Sequence, residues 1–192
     1  IIASSAQAVT RIQASMNKWS AVCNVQFIYD GTSSAGPSRA PPTNSSDGLN
    51  VVGWRAQGTS GQTGVAGVAA SGPGGGPFTI VEGDIALNYQ FNPDVDTTIL
   101  HEVGHMLGIN HSDVSGVVMS GPPLTAYSGQ TVLQADDIAG CVALYGPPVA
   151  APTISGTITN GGGVSGVTFC ARPSAGVTCT VSNGSGTYSC SV

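Results

Sequence analysis

The chain has 192 residues, of which 41% are hydrophobic and only 8% are charged, and its net charge is −5. The five cations are scattered and form no basic stripe, so nucleic acid is not expected as a partner. No apolar run approaches the roughly 18 residues that a membrane span requires, so we expect none. The length suits one domain of about 150 residues with a small appendage.

The sequence contains five cysteines, Cys23, Cys141, Cys170, Cys179 and Cys190. They lack Cys-x-x-Cys spacing, which argues against a structural zinc cluster. Together with the scarcity of lysine they favour an oxidising, extracellular setting, so we expect a secreted protein. Residues 1–5 show neither the basic region nor the long apolar core of a signal peptide, so the secreted form would be a processed one.

The chain begins with a predicted helix and strand. From Ala3 to about Ala21, apolar residues recur at three- and four-residue steps, which predicts an amphipathic helix with Ser4 or Ser5 as its cap. From Val25 to Tyr29 the pattern changes to alternation, which predicts a strand. Residues 32–47 are rich in Ser, Pro, Gly and Ala, and predict a long surface loop.

Three further segments predict strands. Leu49–Trp54 has the composition of a buried strand, and Phe78–Tyr89 again shows strand character. Between them, Gly64–Ala70 consists of small residues, which would let a substrate or another backbone approach closely.

The next predicted helix has Asp94 as its N-cap, and the three histidines of the chain lie in it or shortly after it. His101 and His105 are four residues apart and therefore project from one helix face, where two neutral imidazoles can bind one metal ion. Gly108 lets the backbone leave the helix, so that His111 can turn back towards the same metal.

Glu102 follows the first histidine and can accept a proton from a metal-bound water. A bare H-E-x-x-H can arise by chance on a helix, but the full spacing H-E-x-x-H-x-x-G-x-x-H is a specific signal for a zinc site. Met119 comes eight residues after His111 and before a sharp turn. A methionine there often only packs in the core, but at this spacing it is a candidate floor for the metal site.

Residues 133–145 predict a last helix, which Gly146 and two prolines end. We therefore expect one domain over residues 1–146, a Pro/Ala linker over 147–153 and a small β-rich module over 154–192. The module's short alternating runs suggest an Ig-like or sandwich-like arrangement. About 39 residues are too few to bury a secure core alone, and the sequence stops in what reads as mid-strand, so a truncated module is one interpretation.

Together, the histidine motif, the methionine turn and the last helix resemble the matrixin branch of the metzincin zinc endopeptidases, particularly its bacterial members. The similarity extends to Lys18-Trp19-Ser20 and to the segments 47–54, 80–88 and 134–146, and covers roughly residues 5–146. It implies an α+β fold of the α/β metzincin type. The expected catalytic domain is a twisted, mostly parallel sheet backed by two or three helices, with a cleft between two subdomains.

The resemblance implies that the three histidines of the motif bind one catalytic zinc and that Glu102 is the general base. Met119 would lie beneath the metal. The implied activity is the hydrolysis of peptide bonds in protein or peptide substrates by a secreted endopeptidase. Family members commonly carry a second, structural zinc on further histidines; none are present here, so one zinc is expected.

The resemblance also implies substrate-binding segments. The edge strand around Val65, Ala66 and Gly67 would pair with an extended substrate. The segment 120–127, with Pro122 and Tyr127, would wall the pocket for the residue after the scissile bond.

For the cysteines, the resemblance places Cys23 after the first helix and Cys141 in the closing helix, under the same sheet, which implies a disulfide. Of the remaining three cysteines, Cys170 and Cys179 fit a disulfide across a hairpin. Cys190 would then have no disulfide partner.

Two questions stay open at this level. Asp47, Asp84 and Asp94 lie near Gly-rich loops and could bind calcium, although isolated carboxylates are more often solvated. The alternative function is a non-catalytic, zinc-stabilised binding or adhesion module, whose fourth ligand would be Asp113 or a cysteine. The intact Glu102 argues against that alternative. Nothing in residues 154–192 identifies a partner for the module.

Overall fold

The structure, a computed structural model, describes residues 4–37, 47–55, 64–71, 79–88, 94–121, 129–149, 153–171 and 178–191. The chain divides into two compact units. The first comprises Ile1–Val25 and Gly31–Pro148, and the second comprises Gln26–Asp30 and Val149–Val192. Within the described ranges, no helix combines the length and the apolar character that crossing a membrane requires.

The first unit begins with helix α1, Ser5–Ser20, at the predicted place. Its N-cap is Ser4, whose hydroxyl accepts the Gln7 backbone N–H and so satisfies one of the free donors of the first turn. Near the other end, Trp19 is fully buried. The Trp19 indole N–H donates to the Leu100 carbonyl at 3.0 Å, which ties α1 to the histidine-bearing helix.

The sheet of the first unit has three described strands, β1 (Val52–Arg55), β2 (Gly64–Ser71) and β3 (Thr79–Asn88), in the order β1-β3-β2. β1 pairs with β3 in parallel, whereas β2 pairs with β3 in the antiparallel sense. Over the described residues the sheet is therefore mixed, and the expected mostly parallel sheet is not what these three strands form. β2 precedes β3 in the chain and lies on the side of β3 opposite β1.

The strand predicted for Val25–Tyr29 was wrong, because these residues form neither helix nor strand. The backbone groups that would begin a ladder are used elsewhere. Asn24 N–H donates to the Gly146 carbonyl at 3.0 Å, and Val25 N–H turns back to the Cys23 carbonyl at 2.8 Å. Of the alternating side chains, Val25 and Phe27 are only half-buried and Tyr29 is 50% exposed.

Helix α2, Val95–Met106, lies against the sheet and carries the histidine motif. Asp94 caps it as predicted, with its carboxylate accepting the Thr97 N–H. The apolar stripe is fully buried at Ile99, Leu100 and Val103. β3 approaches α2 so closely that a Cβ at Gly83 would overlap the Met106 side chain, so the glycine is needed there for helix–sheet packing.

Helix α3, Ala135–Tyr145, closes the first unit and is joined covalently to the end of α1. The Cys23–Cys141 disulfide is confirmed, with the two Cα atoms 5.8 Å apart across a sequence separation of 118 residues. Both cysteines are fully buried. The bond therefore closes a very long loop within the protein interior.

The second unit contains two antiparallel strand pairs. β4 (Thr153–Thr157) pairs with β7 (Thr187–Ser191), and β5 (Thr168–Ala171) pairs with β6 (Thr178–Val181). Ser182 holds the end of the second pair together, because its buried hydroxyl donates to the Val164 carbonyl and accepts the Val167 N–H.

The register of this hairpin bears on the predicted Cys170–Cys179 disulfide, which stays a prediction. The two residues are directly opposed across β5 and β6. Ser182 N–H donates to the opposed Val167 carbonyl at 2.9 Å, so alternation along the ladder makes the pair three steps further, 170 and 179, a non-hydrogen-bonded one. Opposed Cα atoms in such pairs lie about 4.5 Å apart, within the range that disulfides require.

We therefore expect mass spectrometry of the unreduced protein to recover the peptides containing Cys170 and Cys179 as one linked species. A Cys190→Ser variant should leave that species unchanged, since the odd cysteine takes no part in it. Recovery of Cys190 linked to either of the other two cysteines would contradict the prediction.

Candidate metal site

The three histidines of the motif converge at the exit of α2. His101 and His105 lie on the helix, and His111 lies ten residues after the first, on the chain that returns past them. The Nε2 atom of His111 is 3.2 Å from that of His101 and 3.0 Å from that of His105. Their potential ligand atoms all lie within 4.8 Å of one another.

This geometry fits a zinc ion. Imidazole nitrogens bind zinc at about 2.0–2.1 Å, so two ligands at tetrahedral positions are about 3.3–3.4 Å apart. The separations of 3.0 and 3.2 Å to His111 Nε2 are close to that value. Within the described part of the chain, the group contains three histidines and no carboxylate or thiolate. Among the described residues, none supplies a ligand for the remaining tetrahedral position.

Two backbone carbonyls fix the orientation of the helical histidines. His101 Nδ1 lies 2.6 Å from the Val118 carbonyl, and His105 Nδ1 lies 2.8 Å from the Ile109 carbonyl. A carbonyl only accepts, so each Nδ1 must carry the proton and each neutral ring presents the Nε2 lone pair to the centre. The two contacts therefore select the tautomer that a metal ligand needs.

Burial keeps these rings neutral. It is the main cause that lowers the pKa of His101 from 6.5 to about 4, and the neighbouring His105 and His111 lower it further, against the Val118 contact. Burial also lowers the pKa of His105. The His101 imidazole thus stays unprotonated well below neutral pH.

The same shift predicts acid sensitivity of the zinc-free protein. Between pH 6.5 and about 4 the unfolded chain protonates His101 and the folded chain does not, so the free energy of unfolding falls as the pH falls through that window. We expect a loss of up to about 3 kcal/mol in urea unfolding of the zinc-free protein. His101→Gln should flatten this dependence, and an equally steep dependence in that variant would contradict the assignment.

The turn that contains Val118 and Met119, called the Met119 turn, packs against helix α2. Met119 is 1% exposed, and its side chain packs against Gly104 of α2. The turn is held from below by Asp137 of α3, whose buried carboxylate accepts the N–H groups of Val118 and Met119 at 3.0 and 2.9 Å. Because the Val118 carbonyl orients His101, Asp137 supports that histidine indirectly.

The fit of Met119 against Gly104 can be tested. A Cβ at Gly104 would overlap the Met119 sulfur and lie 2.9 Å from Trp19 Cζ2, so Gly104→Ala should cost about 1–3 kcal/mol of stability. The matched control is Gly140→Ala in α3, where the nearest atom is 3.5 Å away. The control should gain about 0.5–1 kcal/mol in denaturant unfolding. Equal effects of the two variants would refute the close packing.

The remaining predicted site residues are placed as follows. Glu102 is buried in α2, directly after His101. Val65, Ala66 and Gly67 lie in β2, which is an edge strand of the described sheet. Pro122 and Tyr127 lie outside the described residues.

The carboxylates considered for calcium or for a fourth ligand have other surroundings. Asp84 and Asp94 accept backbone N–H groups of Val51 and Thr97, and Asp47 accepts that of Leu49. Asp113 is exposed and does not belong to the histidine group. Calcium binding stays a prediction without support from these contacts.

The sequence reasoning missed Asp137 and the two orienting carbonyls. A capping box was the one available signal for Asp137, because Gln134 N–H donates to its carboxylate three residues on. That local pattern does not reveal the additional bonds to the Met119 turn.

Residues 54–146 match the family model described as Matrixin. The chain is 37% identical over 68 residues to metalloendoproteinase 1-MMP of Arabidopsis thaliana, covering 35% of this chain and 18% of that protein. It is 37% identical over 99 residues to stromelysin-3 of Xenopus laevis, covering 43% and 20%. It is 47% identical over 47 residues to interstitial collagenase of Sus scrofa, covering 24% and 10%.

The chain thus spans a fifth or less of the length of these relatives. The family match covers α2, the three histidines, the Met119 turn and α3. The chain contains a matrixin-like metzincin domain.

Proposed function

We propose that the chain is a secreted zinc-dependent endopeptidase that hydrolyses peptide bonds of protein substrates. The observation that carries the proposal is the convergence of three imidazoles, two of them oriented by backbone carbonyls, with no fourth protein ligand among the described residues. A catalytic zinc keeps one position open for water or substrate, whereas a structural zinc is closed by four ligands.

The residues then have distinct roles. When bound, zinc supplies a Lewis acid that polarises the scissile carbonyl and lowers the pKa of water towards about 7. His101, His105 and His111 hold it. Glu102 accepts the proton of the attacking water and delivers it to the leaving amine. Met119 supports the site from below.

The substrate is proposed to be an extended peptide. The backbone of β2 at Val65, Ala66 and Gly67 would pair with it at the sheet edge, a case of β-augmentation. Pro122 and Tyr127 would wall the pocket after the scissile bond. The names of the relatives, metalloendoproteinase and collagenase, support a peptide-bond substrate but do not select a target protein for this chain.

Secretion is proposed on the disulfide between Cys23 and Cys141, because buried disulfides form and persist in oxidising compartments. Fractionation of the producing cells should recover the protein outside the cytoplasm.

The experiment that tests the function combines metal analysis with proteolysis. The purified protein should contain one zinc per chain and digest casein. Treatment with 1,10-phenanthroline should abolish digestion, and added zinc should restore it. The alternative, a zinc-stabilised binding or adhesion module, predicts zinc without cleavage. A fully zinc-loaded protein that cleaves no peptide library member would overturn the proposal in favour of that alternative.

A further inference from the structure

The C-terminal end of α2 is held by a residue outside the motif. The last carbonyls of a helix have no partner within it and must be satisfied by other groups. Leu107, the C-cap of α2, is 7% exposed. The Tyr145 hydroxyl of α3 donates to its carbonyl at 2.7 Å, across 38 residues of sequence.

The bonded carbonyl begins the turn that orients a histidine. Gly108 follows with φ +81°, and its N–H donates to the His105 carbonyl at 2.8 Å. Ile109 comes next; its N–H donates to Gly104 at 3.0 Å, and its carbonyl receives His105 Nδ1. The turn 107–109 thus sets the tautomer and the ring orientation of His105, and it directs the chain towards His111.

Helix α3 also passes near this turn at Gly140, where an added Cβ would lie at ordinary van der Waals distance, 3.5 Å, from Ile109 Cγ2. Burial raises the pKa of Tyr145, so its hydroxyl keeps its proton and stays a donor throughout the neutral range. The contact with Leu107 is therefore constant under the conditions in which zinc would bind.

We propose that Tyr145 is a positioning residue of the metal site, which fixes the 107–109 turn through the Leu107 carbonyl and thereby holds His105 in its metal-binding orientation. The inference rests on the proposed function, since it assumes that the three histidines bind zinc. Its hydroxyl is bonded to the Leu107 carbonyl, so the proposed effect on the metal runs through the backbone. Groups that orient a ligand typically change metal affinity about 10- to 100-fold when removed, and a group acting through the backbone should fall at the lower end.

The test is Tyr145→Phe in the full chain, which removes the hydroxyl and keeps the ring. The matched control is Tyr29→Phe, which removes the same group from a side chain that is 50% exposed. Zinc affinity is measured by chelator competition far below the unfolding temperature, where both variants are folded. We expect zinc to bind about tenfold more weakly to Tyr145→Phe than to the wild type. The control should bind zinc as tightly as the wild type. The cobalt-substituted variant should also show an altered visible absorption spectrum.

Hydrogen exchange of the zinc-free protein gives a second readout that does not depend on metal. The amides of Gly108 and Ile109 should exchange faster in Tyr145→Phe, while those of Leu100 and Val103 in the middle of α2 should not change. Zinc affinity within twofold of the wild type, or unchanged exchange at the turn, would overturn the proposal. If the wild type itself binds no zinc, the proposed function fails, and the exchange measurement still decides whether Tyr145 fixes the turn.

Discussion

Replacing Glu102 by glutamine is expected to lower kcat/KM for peptide cleavage by about 10²- to 10⁴-fold while the protein keeps its zinc. Glutamine has nearly the same shape as glutamate but cannot accept the proton of the attacking water. The three histidines are untouched, so the metal content measured by mass spectrometry should stay at one ion per chain. Glu102→Ala should behave in the same way towards peptide substrates.

The chain offers a matched control in its one other glutamate, Glu82. Glu82 is also buried, but its carboxylate accepts the Gly48 N–H at 2.7 Å in the loop before β1. Glu82→Gln should therefore reduce stability and leave the chemical step within a few-fold of the wild type. Full cleavage activity in purified, zinc-loaded Glu102→Gln would eliminate Glu102 as the base.

Local patterns in the sequence predicted that the three histidines come together, which they do. Four-residue spacing on a helix determines that His101 and His105 share a face, and a glycine at 108 permits the turn towards His111. The cap Asp94 was predicted for the same reason, and Ser4 was one of the two candidates for the first cap, because a cap acts within three residues of itself.

Features that depend on distant partners were not predictable in this way. Asp137 reads as an ordinary first-turn acid, yet it binds two amides 18 and 19 residues away. Tyr145 reads as an apolar-face residue, yet its hydroxyl serves the end of another helix. The alternation at Val25–Tyr29 predicts a strand, but a strand also needs a neighbour, and the backbone of Asn24 and Val25 is committed elsewhere.

The order of the strands in the sheet also depends on distant partners. The segments of β1, β2 and β3 were located within a few residues, but their order β1-β3-β2 is set by which backbone edges meet. The small residues of β2 indicate that something approaches the strand closely, but they do not tell whether it is a substrate or another backbone. Among the described strands this one lies at an edge, which is the arrangement that a substrate pairing along it would need.

Removal of the Cys23–Cys141 disulfide is expected to cost about 3–5 kcal/mol of stability. A cross-link that closes a loop of 118 residues removes much of the conformational entropy of the unfolded chain. Both cysteines are fully buried, so the double variant Cys23→Ala/Cys141→Ala is preferable to serine, which would place two polar hydroxyls in the protein interior. Urea unfolding should show a lower midpoint.

The loss of stability should also weaken the metal site, because α3 carries both Asp137 and Tyr145. We expect the double variant to release zinc at a lower temperature than the wild type, in step with its unfolding. Cys190→Ser serves as the control, since the odd cysteine is not expected to cross-link the first unit, and its unfolding midpoint should stay close to that of the wild type. A double variant destabilised by less than about 1 kcal/mol would mean that packing alone fastens α3 to α1.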